Sequence, residues 1–188
     1  MNSAEKLRLL RRRMQEQGMD AYVVVTDDFH GSEYVGDYFK AREYLSGFTG
    51  SAGTLVVLPE QAALWTDGRY FLQAAEQLTG STIDLMRMGQ PGVPTIGAFL
   101  AEHLPEGGVL GFDGRTVSSS FAHALETALA EKHIRFHGSE DLVDAVWPDR
   151  PALSDRPVWE LTGCGMSREE KLAKLREKMA AQNAAYLL

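Results

Sequence analysis

A helical pattern that stops at a glycine and leads directly into a buried strand pattern is the strongest constraint this sequence offers. Within residues 3–17, Leu7, Leu10 and Met14 fall at i, i+3 and i+7, so the segment predicts an amphipathic helix with Ser3 as its N-cap and Gly18 just past its end. The β-branched run Ala21-Tyr-Val-Val-Val25 follows at once, which predicts a buried strand. A polar loop and a short helix over 41–45 come next, and then two apolar runs, 54–58 and 62–65, flank Pro59-Glu60-Gln61 as a hairpin. Helices over 70–78, 95–103 and 119–132 alternate with strands at 83–86 and 109–112 across Gly and Pro punctuation. Strands that alternate with helices and include one hairpin predict a three-layer α/β domain with a mixed sheet and helices on both faces. A helical stretch over 140–146 closes it, before Trp147-Pro-Asp-Arg-Pro151 and Arg156-Pro157 break regular structure.

A length of 188 residues holds one full domain and little more. The predicted organisation is a domain over 1–150, a linker over 151–166 and a new element over 167–188. That last element opens on Ser167-Arg-Glu-Glu170, a capping box in which hydroxyl and carboxylate each satisfy a backbone N–H. Its pattern repeats the start of the chain 165 residues later: Glu5, Lys6, Leu7, Leu10, Arg11, Met14 and Gln17 return as Glu170, Lys171, Leu172, Leu175, Arg176, Met179 and Gln182. Gly18 returns as Asn183, the other residue that best tolerates a left-handed C′ position. The copy is expected to enter a strand at Ala185-Tyr-Leu-Leu188, as the first helix and strand of a duplicated domain that is cut short.

Net charge is −7, from 26 acidic against 19 basic residues, which argues against nucleic acid or an anionic membrane as partner. The basic cluster Arg11-Arg12-Arg13 lies on the polar side of the first helix and reads as a solvated face. A single cysteine, Cys164, rules out an intrachain disulfide and a cysteine-based zinc site, and fits a reducing compartment. With no apolar run near the length of a membrane span and no signal-type N-terminus, a cytoplasmic location is expected.

Several motifs invite chemistry. Gly47-Phe-Thr-Gly50-Ser-Ala-Gly53 resembles a phosphate loop in composition, but it opens into a strand and lacks the required spacing, so its glycines shape a tight entry into that strand. Ser51 has Thr49 where a nucleophile elbow needs glycine. Asp27, Asp28, His30, Glu33 and Asp37 crowd one loop without the ligand order of a cation-binding loop, and His133 and His137 lack a third ligand at zinc-type spacing. In Asp67-Gly68-Arg69, the turn dipeptide places Arg69 near a helix start, where a cation opposes the helix dipole. Spacing alone leaves open whether Arg69 pairs with Asp67 or faces a ligand.

Ser46-Gly-Phe-Thr-Gly-Ser-Ala-Gly53 followed by Trp65-Thr-Asp-Gly-Arg-Tyr-Phe-Leu-Gln-Ala-Ala75 resembles the paired signature of the creatinase-like N-terminal domain of the aminopeptidase P family. Ser32-Glu-Tyr34, Met86-Arg-Met-Gly89 and Leu142-Val-Asp-Ala-Val-Trp147 are similar to the long, three-domain cytosolic form, whereas the loop Asp37-Tyr-Phe-Lys40 departs from its cysteine-containing animal versions. The resemblance implies a ribonuclease H-like, three-layer domain and, in the complete enzyme, metal-dependent removal of the N-terminal residue from peptides with proline second. It places two divalent metals, manganese or zinc, in a C-terminal domain outside this chain, with no cofactor and no catalytic residue here. What remains for the chain is substrate-cleft shaping and homodimerisation. Arg69 matches the family arginine that contacts bound peptide, and Arg42, His30 and Asp67 match positions in the same region. The alternatives are the N-terminal domain of a prolidase or creatinase relative, which lacks the duplicated second domain, and a free-standing interaction or small-ligand module.

Overall fold

The computed structural model describes residues 1–157, 159–161 and 163–187. They fall into two compact units, Met1–Leu153 and Ser154–Leu188. In the first unit, helices α1 (Ser3–Glu16), α2 (Ala41–Ser46), α3 (Phe71–Gln77), α4 (Ile96–His103) and α5 (Ser119–Ala128) surround strands β1 (Ala21–Val25), β2 (Thr54–Val57), β3 (Ala62–Thr66), β4 (Asp84–Arg87), β5 (Val109–Phe112) and β6 (Arg135–His137). The strands form one sheet in the order β4-β3-β2-β1-β5-β6. β2 is antiparallel to both β1 and β3, and the other pairings are parallel. The C-terminal ends of β1, β3, β4, β5 and β6 therefore share one edge of the sheet with the start of β2.

Period-two alternation builds the three layers, because successive side chains of a strand leave opposite faces. Tyr22, Val24, Leu55, Val57, Ala62 and Leu64 point to one face and meet Leu7, Leu10 and Met14 of α1, Leu45 of α2 and Ala74 of α3. Ala21, Val23, Val56, Ala63 and Trp65 point to the other and meet Phe99 and Leu100 of α4 and Leu125 of α5. The mixed sheet with helices on both faces agrees with the sequence expectation, and the element boundaries shift where caps decide them. Asn2, not Ser3, caps α1: its side chain accepts from Glu5 N at 2.9 Å, and Glu5 reaches back to Asn2 N at 2.9 Å. The long helix expected over 119–132 breaks after Ala128 into a 3-10 turn, Ala130–Lys132, which ends at His133 in the left-handed region with φ 52°. The expected helix over 140–146 is only a 3-10 turn, Asp144–Val146. Asp141 explains this, since its carboxylate accepts from Val143 N, Asp144 N, Arg115 and Arg150 and so bends the chain into a turn. Arg150, 6% exposed at its side chain, closes that segment against Tyr38, whose carbonyl accepts its Nε at 2.9 Å.

The loop over residues 46–53 winds around one buried side chain. Arg42 is 3% exposed, and its guanidinium donates to Thr26 Oγ1 at 2.8 Å and to the carbonyls of Phe48 and Gly50. Burial pushes its pKa down to about 10, which leaves it charged at neutral pH. The loop closes tightly over it. A Cβ on Gly50 would lie 2.3 Å from the Phe48 ring and 2.8 Å from Tyr70, so glycine is required there by space. This agrees with the reading of the glycines as shaping a tight entry into β2, and adds that the carbonyls of Phe48 and Gly50 point inward at a cation.

The second unit carries α6, Arg168–Ala181, which reproduces α1 in its local geometry. Both helices have 14 residues and a complete capping box, Ser167 with Glu170 standing for Asn2 with Glu5. Both end on a glutamine, Gln17 or Gln182, followed by a left-handed residue, Gly18 at φ 64° or Asn183 at φ 52°. The closing bonds match as well: Met19 N donates to Met14 O at 2.8 Å and Ala184 N to Met179 O at 2.9 Å. Unlike α1, α6 has no buried residue. The strand expected over 185–188 is absent through Leu187, because a lone strand has no neighbour to take its backbone bonds; Leu188 lies outside the described residues.

Two measurements test this account of the packing. Arg42→Met should lower stability by about 3 kcal/mol or more in denaturant titrations, because Thr26, Phe48 and Gly50 lose a buried donor, and Arg42→Lys should restore less than half of it. The helical twins should separate: Leu10→Ala should cost about 3 kcal/mol, whereas Leu175→Ala, at a site 37% exposed, should cost under about 1 kcal/mol. Equal losses from the two alanines would contradict the burial assigned here.

Candidate functional site

The sheet edge that gathers the strand ends also gathers the polar side chains. β3 and β5 are each followed by the same tripeptide, Asp67-Gly68-Arg69 and Asp113-Gly114-Arg115, and both fold identically. In the first, Asp67 Oδ1 accepts from Arg69 N and Nε at 3.0 Å each, and Oδ2 accepts from Nη2 at 2.9 Å. In the second, Asp113 holds Arg115 N at 3.0 Å and takes Nε and Nη2 at 2.9 Å each. An aspartate at the end of a strand bends the chain by accepting the N–H two residues on, and the fork of the arginine closes on the same carboxylate. The pairing holds the Asp67 carboxyl below the usual carboxylate range and raises both guanidinium pKa values.

The two forks differ in what remains. Arg115 spends further donors on other segments of the fold, on Asp141 at 3.0 Å and the Tyr38 hydroxyl at 3.4 Å. Arg69 is 60% exposed at its side chain, and its Nη1 meets only Glu33 Oε1 at 3.6 Å, beyond hydrogen-bonding distance. One fork is therefore a structural brace, and the other presents a permanently charged, oriented donor to solvent. The second tripeptide is a repeated motif that sequence reasoning passed over, although the identical residues after a strand were there to be read.

Beside Arg69 lies a cleft of about 410 Å³, lined by Thr26, Glu33, Arg42, Gly50, Ser51, Tyr70 and Gln73 among others. Tyr70 lies under Arg69, with the guanidinium carbon 5.2 Å from the ring centre, and its hydroxyl is 2.7 Å from Ser51 Oγ. Ser51 also donates to Glu33 at 3.3 Å. Glu33, Ser51 and Tyr70 are the site residues that the sequence did not single out for this role, because they come from three separate segments.

The structure brings some sequence candidates together and not others. Arg69 and Asp67 form one unit, and Arg69 adjoins Glu33 and Tyr70 of the cleft lining. Arg42 forms part of the cleft wall with its donors already committed to the fold. His30 is 82% exposed at its side chain, with Nδ1 3.9 Å from Asp28. The acidic loop is organised by its own backbone: Asp28 accepts from His30 N at 2.8 Å and Ser32 N at 3.1 Å. His137 pairs with Ser139 at 2.9 Å. Among the described residues, no three His, Cys, Asp or Glu side chains converge where a metal ion could be held. No helix among the described residues is long and apolar enough to cross a membrane.

The Creatinase/Prolidase N-terminal domain family matches residues 6–146. Aminopeptidase P2 of Arabidopsis thaliana is 43% identical over 182 residues, covering 93% of this chain and 26% of its own length. The crystal structure of X-prolyl aminopeptidase from Caenorhabditis elegans, a cytosolic enzyme with a di-nuclear active site, agrees with a TM-score of 0.84 at 35% identity, covering 97% of this chain and 32% of that one. The N-terminal domain of the cytoplasmic peptidase PepQ from Mycobacterium tuberculosis agrees with a TM-score of 0.55 at 28% identity, covering 76% of this chain and 98% of that one. The chain thus spans about a third or less of the length of the aminopeptidases it matches. A mixed six-stranded sheet between two helical layers, with the family match running from α1 to the turn that closes the sheet domain, makes this chain a member of the creatinase/prolidase N-terminal domain family, of the kind found in Xaa-Pro aminopeptidases.

Proposed function

We propose that this chain is the non-catalytic N-terminal part of a cytoplasmic, homodimeric Xaa-Pro aminopeptidase, and that its role is to position peptides with proline second. The observation that carries the reading is Arg69: two of its five N–H donors are fixed by Asp67, its Nη1 has no hydrogen-bond partner among the described residues, and it adjoins Glu33 and Tyr70, which line the cleft. A guanidinium held this way can donate to a peptide oxygen without first losing side-chain freedom. Two divalent metals, manganese or zinc, would supply the activated water in another part of the longer protein. Residues here bind and orient. Asp67 fixes the fork, Tyr70 supports it from below, and Ser51 ties Tyr70 to the loop that Arg42 holds.

The long form is favoured over a prolidase relative by how far the likeness extends. The Caenorhabditis elegans enzyme matches 97% of this chain, whereas the PepQ domain matches 76% of it. We further assign 1–150 to the first domain, 151–166 to a linker, and 167–188 to the start of a second domain related to the first, on the strength of the matching caps of α1 and α6.

Three outcomes are expected. In the full-length enzyme, Arg69→Ala should leave folding and metal content unchanged and weaken kcat/KM on Xaa-Pro peptides by about 1.5 to 3 kcal/mol, with partial recovery in Arg69→Lys. Full kcat/KM together with a lowered melting temperature would instead make the fork with Asp67 purely structural. Removing residues 167–188 should shift the melting temperature of the remaining chain by no more than about 2 °C; a loss of several kcal/mol would mean that α6 completes the first domain. The purified 188-residue chain should contain no stoichiometric manganese or zinc by elemental analysis and should not cleave an Xaa-Pro peptide.

A further inference from the structure

Arg69 is not a bare cation. Asp67 occupies two of its five N–H donors at 2.9 and 3.0 Å, and Glu33 stands 3.6 Å from Nη1. Two carboxylates on one guanidinium leave the rim with a formal local charge of −1. Glu33 is not there by accident of a free side chain, since Ser51 Oγ holds its Oε1 at 3.3 Å and is itself fixed by Tyr70 at 2.7 Å. The cations that line the neighbouring cleft do not offset it: Lys40 is paired with Asp37 at 2.7 Å, and Arg42 is 3% exposed with its donors on Thr26 and two carbonyls. Glu43 adds a further carboxylate to the cleft lining.

Two kinds of peptide oxygen could accept from Arg69 Nη1: a neutral backbone carbonyl or a terminal carboxylate. A carbonyl takes the donor with no change in charge and displaces only a contact already too long for a hydrogen bond. A carboxylate would be the third anion on one cation, with Glu33 a few ångströms away. We propose that Glu33 is a specificity-determining residue: it makes the Arg69 site accept internal peptide carbonyls and reject free C-terminal carboxylates, so that the site discriminates by peptide length through charge. This rests on the reading of Arg69 as a peptide-binding residue. Specificity of this type is built from repulsion of the wrong ligand as much as from attraction of the right one.

The test uses the full-length enzyme and a series of Ala-Pro-(Ala)n peptides, each as the free acid and as the C-terminal amide. At the length whose terminus reaches Arg69, kcat/KM should favour the amide by about fivefold at low salt, and the preference should shrink as ionic strength rises. Glu33→Gln keeps an oxygen acceptor for Ser51, so the fold should persist, as a matched melting curve will verify, and the amide preference should fall to about onefold at every length. An unchanged amide-to-acid ratio in Glu33→Gln across the series would overturn the proposal, as would an equal loss of activity on acids and amides. Arg69→Ala separates the two levels of argument. If it lowers kcat/KM while Glu33→Gln leaves the ratio untouched, the peptide-binding reading stands and the charge filter fails; if Arg69→Ala has no effect on any peptide, the binding reading itself fails.

Discussion

Arg42 places a full positive charge where water scarcely reaches, and among the described residues it bonds no carboxylate. A buried charge without compensation is among the most expensive arrangements a fold can hold, so the surroundings must supply dipoles in its place. They do so with the carbonyls of Phe48 and Gly50 and the hydroxyl oxygen of Thr26, which reach the guanidinium from the loop after α2 and from the end of β1. Thr26 is held in turn, since its N–H and its hydroxyl both donate to Gly53 O, at 3.1 and 2.8 Å. The path of the chain from α2 into β2 is thereby dictated by one side chain. The cleft, Ser51 and the hydroxyl contact to Tyr70 all stand on that path.

The same economy of means explains why two identical tripeptides do different things. Asp67-Gly68-Arg69 and Asp113-Gly114-Arg115 fold alike because the bend and the fork are local, set by a carboxylate two residues before its partner. Their roles diverge because of what lies around them. The turn at Asp141 reaches Arg115 and ties it down as a brace, with Arg150 sharing the carboxylate at 2.6 Å. Arg69 lies over Tyr70 and beside an exposed glutamate. A motif fixes a shape, and the neighbourhood assigns the function.

The helix repeat makes a related point from the other direction. Most of the α1 side chains that touch the sheet domain have a counterpart type in α6, although Leu9 returns as Lys174. Lys6, which donates to Tyr44 O at 2.7 Å and lies over the Tyr44 ring, returns as Lys171, and Arg11, which donates to Leu58 O at 2.8 Å, returns as Arg176. Helix caps and helix length come back identically because they depend on residues within reach of one another along the chain. Burial does not come back with them: Leu7 and Leu10 are 0% exposed while Leu172 and Leu175 are 41% and 37% exposed. Burial is a property of the partner surface, not of the helix.

What the sequence determined by itself is what short-range physics controls. Period-two runs gave the central strands and their two faces, the period of α1 gave its buried stripe, and the residues around Gly18 and Asn183 gave the helix ends. The alternation of strands with helices was enough for a three-layer domain with a mixed sheet. The turn at Asp67-Gly68 was legible too, but whether Arg69 closed on Asp67 was left open, and so was what its Nη1 would meet. That answer lay in Glu33, 36 positions away in the chain and 3.6 Å away in space. Equally hidden were the burial of Arg42 against the carbonyls of Phe48 and Gly50, and the conversion of the stretch over 140–146 from helix to turn by Asp141. Each of these was decided by contacts between segments distant in sequence. The energy of a buried guanidinium or a shared carboxylate depends on every dipole around it, and only the tertiary structure fixes which dipoles those are.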